Sequence, residues 1–230
     1  MRVLLTVTRF KTVFIPFAFV GMALLHLPLW LNRKISFYKL LGAGGQAQPD
    51  VPADYRHWGL LVCFENDQQL TRFATRSFVS AWFRFFGAEQ LNVVLEPISA
   101  HGLWDGRQPF IYKKQTGSYN GQVGVLTRAT IRGNKMKAFR ADIKKASAAM
   151  RESPGFVLAA GLGENPFFRQ ATFSIWENAA LMKDYAYRHV DHAAVIKRTR
   201  EDGWYTEELF ARFKIIAIEG SLNGTTYSNQ

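Results

Sequence analysis

Two hydrophobic periodicities alternate along this chain, and their order predicts its elements. Residues 3–10, VLLTVTRF, alternate apolar and polar over β-branched positions and predict a strand. Residues 13–31, VFIPFAFVGMALLHLPLWL, then run without a charge between Arg9 and Lys11 on one side and Arg33 and Lys34 on the other. That length reaches the span of a bilayer, but Pro16, Gly21, His26 and Pro28 interrupt it and no small-residue cleavage site follows, so a buried or membrane-surface helix is expected, with a spanning helix as the alternative. ISFYKLL at 35–41 predicts a second strand, followed by the turn GAGG and a polar loop over 46–55. Residues 58–64 predict a strand, 67–87 a helix broken near Ser77, and 91–98 a further strand.

In the second half, Gly161, Gly163 and Pro166 mark a turn, and residues 170–176 alternate again. Ala171, Phe173 and Ile175 share one face, expected to pack under helices; Gln170, Thr172, Ser174 and Trp176 share the other, expected to form the wall of a ligand cavity. Past Asn178 the spacing of Leu181, Tyr185 and Ala186 is helical, and the chain runs on to His189 and His192.

The two halves repeat. Thr8-Arg9 recurs as Thr127-Arg128, Phe37 as Phe156, and Gly42 and Gly44 as Gly161 and Gly163, all 119 residues on. Phe64-Glu65-Asn66 returns as Trp176-Glu177-Asn178 at a shift of 112, and Glu89, Leu91 and Gly102 return as Glu207, Leu209 and Gly220 at 118. Ordered matches of this kind predict an α+β fold of two tandem ferredoxin-like βαββαβ repeats, 1–112 and 122–222, packed sheet to sheet as a sandwich or closed barrel. The join falls between about 110 and 122, where Lys, Gly, Ser and Asn accumulate. Between the sheets, an apolar wall from Trp58 to Phe64 facing a polar one from Gln170 to Trp176 would suit a large, mostly apolar ligand.

Composition narrows the chemistry. A hydrophobic share of 48% supplies a core, and a net charge of +11 attracts anions. One cysteine, Cys63, excludes a disulfide framework and a cysteine-rich zinc site, fits a reducing cytosol, and is expected to be a small core hydrophobe. His192 is the sharpest candidate, as an axial haem ligand; His189 is the fallback, and the pair with Glu201 or Asp202 is a weaker non-haem metal set. Arg128 and Arg212 are expected on neighbouring strands facing the cavity, where they would clamp carboxylates such as haem propionates, with Arg169 less constrained. Lys135, Lys137, Arg140, Lys144, Lys145 and Arg151 make one helix basic, a face for solvent, an anionic membrane or an acidic electron-transfer partner. No helix-turn-helix, ribonucleoprotein or zinc-finger pattern accompanies the charge, so nucleic acid is not expected as a partner; P-loop, G-x-S-x-G and H-E-x-x-H patterns are also missing.

Several long strings resemble the spheroidene monooxygenase family of carotenoid-biosynthesis enzymes: SAHGLWDGRQPF (99–110), GVLTRATI (124–131), GLGENPFFRQATFSIW (161–176), HAAVIKRTREDGWYTEELFARFKII (192–216) and the N-terminal FYKLLGAG. The resemblance implies a fold related to the dimeric α+β barrels. It also implies a haem b oxygenase that ketolates an apolar, acyclic carotenoid with O2 and a ferredoxin-type electron donor. His192 falls on the family's recurring histidine, and Arg128 and Trp104 on pocket positions; the apolar 13–31 segment departs from the family pattern. Expected with it are cytoplasmic residence with attachment at the inner membrane surface, and two alternatives: a haem lyase or dehydratase of a nitrogenous small molecule, or a non-catalytic haem-binding module.

Overall fold

Where large apolar side chains alternate, the chain forms strands, and where the period lengthens, helices cover them. The computed structural model describes residues 1–43, 55–113, 119–165, 168–188, 199 and 202–228. The first half runs β1 (Arg2–Phe10), α1 (Ile15–Leu24), α2 (His26–Leu31), β2 (Ile35–Ala43), β3 (His57–Phe64), α3 (Asp67–Arg76), α4 (Phe78–Phe86) and β4 (Gly87–Gly102). The second runs β5 (Val123–Ile131), α5 (Met136–Glu152), β6 (Phe156–Asn165), β7 (Arg169–Trp176), α6 (Ala179–Arg188) and β8 (Tyr205–Leu222), with a short β9 (Thr225–Tyr227). The expected break at Ser77 is a cap: its Oγ accepts from the Ser80 N–H at 3.0 Å and so starts α4. Asn66 starts α3 in the same way, accepting from Gln69 N–H at 3.0 Å.

All strand pairs are antiparallel, in the order β4-β1-β3-β2-β6-β7-β5-β8, and β4 pairs back onto β8 to close an eight-stranded barrel. One seam is short, Gly42 and Ala43 against Gly163 and Leu162. The other is long, from Leu91 opposite Gly220 to Gly102 opposite Leu209. That seam explains the 16 residues of β4 and 18 of β8, because each spans its own half and then reaches along the other.

The facing of the strands corrects the sequence expectation. Ala171, Phe173 and Ile175 point into the barrel, in one apolar cluster with Val3, Leu5, Val7, Leu61, Leu126 and Phe213. Cys63 is core as expected but joins this interior cluster, not the helix layer. Trp58, Leu60, Val62 and Phe64 point outward under α1 to α4, and Val123, Val125 and Trp176 point outward under α5 and α6. Alternation shows that two faces differ; it does not say which is inside when both are apolar.

Corresponding turns close the two ends of the barrel. After β4, Asp105 and Gly106 have φ of 51° and 71°; after β8, Asn223 and Gly224 have 54° and 78°. Gly102 (φ 85°) and Gly220 (φ 114°) precede them, and a Cβ there would lie 2.1 Å from the Glu208 carbonyl oxygen or 2.0 Å from that of Gln90. Only glycine satisfies both the dihedral and the close approach.

Candidate functional site

Inward-pointing Arg128 stands one turn of alternation beyond Leu126, and an arginine there requires carboxylates. Its Nε donates to Glu164 Oε1 at 3.2 Å and its Nη1 to Glu207 Oε1. Glu207 also accepts from the backbone N–H of Asp105 at 3.0 Å and Gly106 at 2.8 Å, which latches the turn after β4 onto β8. Lys39 reaches Glu164 Oε2 at 3.2 Å and pairs with Asp105, and Arg169 Nη1 lies 3.3 Å from Asp105 and 3.4 Å from Glu164. Trp104, fully buried, donates its indole N–H to Glu164 Oε1 at 2.6 Å, with Arg128 5.8 Å and Lys39 5.7 Å from its ring. Three cations thus meet three carboxylates at one end of the barrel. Burial alone would raise the Asp105 and Glu207 carboxyls. For Asp105 the hydrogen bond from Lys39 and the charges of Lys39, Arg169 and Arg128 overcome it; for Glu207, the two backbone N–H groups and Arg128 do, and both carboxyls are held below their usual range. The Arg128 side chain is 1% exposed, and its Nη2 makes no hydrogen bond.

The opposite end repeats part of this. Arg9 Nη1 meets Glu89 Oε1 at 3.3 Å, Glu89 accepts from Gly224 N–H at 3.4 Å, and His57 Nε2 lies 2.9 Å from Asn223 Oδ1. These are the sequence-repeat counterparts of Arg128, Glu207, Gly106, Arg169 and Asp105. Leu158 and Leu222 occupy the positions that match Lys39 and Trp104 by the same shifts, so the fuller network belongs to one end.

The outer faces of the two halves differ as well. In the first half Thr8 is fully buried beside Trp58, whose ring meets Phe19 of α1 at 5.1 Å. In the second half, the outward row of Phe210, Thr127, Thr172 and Gly161 across β8, β5, β7 and β6 is partly exposed: Thr127 is exposed, Phe210 36% exposed, and Thr172 and Gly161 half-buried. Gln170, the sequence-repeat match of Trp58, lies in the next row, opposite Ala129 and Gly163, on the same outer side of β7. Small and polar side chains there leave a flat sheet floor.

The sequence candidates therefore divide. Arg128 and Trp104 come together inside the barrel, joined by Arg169 at its mouth. Trp176, Gln170 and Arg212 lie on the outer side of the sheet, not the inner side first expected. Trp176 donates its indole N–H to Ser174 Oγ at 3.0 Å and stacks on Tyr185 at 5.0 Å; Arg212 Nε donates to Ser99 Oγ at 2.9 Å. Arg128 and Arg212 thus belong to opposite faces and do not form one clamp. Burial pushes the Cys63 thiol up, so it is neither a thiolate ligand nor a nucleophile. His189, His192 and Glu201 lie outside the described residues. Among the described residues no group of three or more His, Cys, Asp or Glu could hold a metal ion. Lys39, Asp105, Glu164 and Glu207 were not singled out as site residues from sequence. The signal for one of them was present, since Arg9/Arg128 and Glu89/Glu207 both recur in the repeat and an inward arginine needs a cross-strand acid.

A closed antiparallel barrel with helices on its outer faces defines an α+β barrel protein. An aldoxime dehydratase crystallised with butyraldoxime shares this fold with a TM-score of 0.61 at 9% identity, over 93% of this chain and 79% of that one. The family model "Domain of unknown function (DUF3291)" matches residues 122–213. The spheroidene monooxygenase of Rhodobacter capsulatus is 35% identical over 212 residues, covering 91% of this chain and 88% of the relative; that of Rubrivivax gelatinosus is 35% identical over 194 residues, 83% and 73%. The chain belongs to the spheroidene monooxygenase family.

Proposed function

We propose that this protein is a haem b-dependent monooxygenase acting on a carotenoid or a similar apolar polyene. The observation that carries the monooxygenase reading is 35% identity sustained over 91% of the chain to a protein named a spheroidene monooxygenase; the haem is the further step of this proposal. Each turnover would place one atom of O2 into a C–H bond and reduce the other to water with two electrons and two protons. A second insertion at the same carbon, followed by loss of water, yields a ketone. The electrons would come from a ferredoxin-type donor, and the exposed basic side chains of α5, Lys137, Arg140, Lys145 and Arg151, fit such an acidic partner. The halves 1–112 and 122–222 are read as tandem ferredoxin-like repeats, the second holding the cofactor. Cytoplasmic residence belongs to the same proposal.

The small side chains of Gly161, Thr172 and Thr127 on the outer face of the second half would accommodate a planar macrocycle. A bound haem would supply the activation of O2. His192, which lies outside the described residues, would hold its iron, as the family resemblance implies. Gln170 and Arg212 share this face and would meet the haem edge; Trp176 anchors α6 beside it. Arg128, Glu207 and Trp104 hold β5, β8 and the turn after β4 in register beneath the floor, and so position it. Absorption spectra of protein from haem-supplemented cells, with and without dithionite, test the proposal. A Soret band lost in His192→Ala with circular dichroism unchanged is expected. A colourless wild-type protein that refuses added hemin refutes it, and turnover without O2 or reductant would replace it with a lyase or dehydratase.

A further inference from the structure

The helices of the first half carry a surface that the oxygenase chemistry does not use. Along α1 and α2, Ala18, Gly21, Leu25 and Leu29 form a buried stripe, and Gly21 sits so close to α4 that a Cβ would lie 2.9 Å from Trp82 Nε1. The opposite stripe is equally apolar and faces out: Val13, Phe17, Val20, Leu24, Leu27 and Leu31 recur at spacings of three and four and are 42–74% exposed. A helix that is apolar all round is normally enclosed on every side. Trp30 (72% exposed), Phe78 (61%) and Phe85 (69%) extend the patch, and ring contacts make it continuous: Phe17 meets Trp82 at 6.5 Å, Trp82 meets Phe78 at 5.8 Å, and Phe14 joins Phe17 at 5.8 Å to Phe85 at 6.4 Å.

Charge selects the occupant. Residues 1–49 contain no Asp or Glu, and α4 contains none. Lys11 precedes the apolar segment and Arg33 and Lys34 follow it, all three exposed, while the exposed Arg84 of α4 donates to the carbonyls of Ala74 and Thr75. Cations at both ends of an exposed apolar and aromatic face, with no acid among residues 1–49, match the lipid-water boundary of an anionic membrane, where tryptophan rings rest among headgroups and basic side chains meet phosphates. The segment 12–31 has the length and composition to cross a bilayer, but it turns at Leu25 and its inner stripe is committed to the protein, which leaves one face for lipid.

We infer that the outer face of α1, α2 and α4 is a docking surface for an anionic phospholipid bilayer, lying in the interface without spanning it. This goes beyond the oxygenase proposal and does not depend on the haem; if both hold, docking sets the barrel against the phase that dissolves an apolar polyene. The test is co-sedimentation of the full chain with vesicles of equal phosphatidylglycerol and phosphatidylcholine, compared with phosphatidylcholine alone, and with the double variant Leu24→Glu/Leu27→Glu. Both positions are exposed, so fold is retained, checked by circular dichroism. Expected are binding to the anionic vesicles, release by alkaline carbonate, at least tenfold weaker partitioning without phosphatidylglycerol or in 0.5 M salt, and a similar loss in the double variant. The inference is overturned by wild-type protein that stays in the supernatant, by a double variant that sediments like wild type, or by protein released only with detergent, which would indicate a spanning helix. A lipid-free wild-type dimer that the double variant converts to monomer would also overturn it, by assigning the face to a second copy of the chain.

Discussion

Replacing Arg128 with methionine isolates what the buried network contributes. The substitution keeps the length and apolar stem of the side chain and deletes a guanidinium that is 1% exposed. Removing one partner of a buried ion pair costs about 3–5 kcal/mol, most of it from the uncompensated charge left behind. Here the remaining carboxylates keep other donors: Glu164 retains Lys39 at 3.2 Å and the Trp104 indole at 2.6 Å, and Glu207 retains two backbone N–H groups. The expected loss is therefore at the low end, about 3 kcal/mol, or about 6–12 °C in Tm for a chain of this size. Urea unfolding followed by circular dichroism at pH 7 measures it. In a cycle with Glu207→Gln, the double variant should cost less than the sum of the singles by about 1–3 kcal/mol, because the neutral amide no longer needs the cation. An Arg128→Met protein within about 0.5 kcal/mol of wild type, or a cycle that is additive within that margin, would refute the network as a stabilising unit.

The same network sets a pH dependence. Asp105 and Glu207 have carboxyls held below their unfolded values of about 4, so their contribution is present above that pH and is lost as the pH falls through the folded values; Tm should drop more steeply below about pH 4 in wild type than in Glu207→Gln. Gly102→Ala and Gly220→Ala should each cost more than about 2 kcal/mol in urea melts, since each places a Cβ on a carbonyl oxygen at positive φ. Gln170→Trp, which puts in the second half the residue that the repeat has at Trp58, should crowd the outer face beside Thr172 and abolish the Soret band while Tm stays within a few degrees of wild type; retained haem uptake would move the cofactor elsewhere. Trp104→Phe removes the N–H given to Glu164 and should lower stability by about 1 kcal/mol, read by the same melts.

Local chemistry made much of the architecture legible. Period-two alternation located the strands, Ser77 announced the break between α3 and α4, and Arg9, Glu89 and Gly102 recur as Arg128, Glu207 and Gly220, the pattern from which the tandem repeat is proposed. These are short-range signals, each written in neighbouring residues or in two copies of one pattern. Closure was different. Whether Phe173 or Trp176 faced the barrel interior depended on β4 pairing with β8 and β2 with β6, contacts made between residues more than a hundred positions apart. In β7 the Phe173 face packs in the barrel interior and the Trp176 end of the mixed face packs under α6, so both are covered and alternation within the strand could not say which was inside. The partners of Arg128 were hidden for the same reason, because Lys39, Asp105, Glu164 and Glu207 come from both halves and meet only when the barrel closes. The outer stripe of α1 and α2 was visible as an uncharged run, but only the packing of Gly21 against Trp82 decided which side the protein covers and which it leaves exposed.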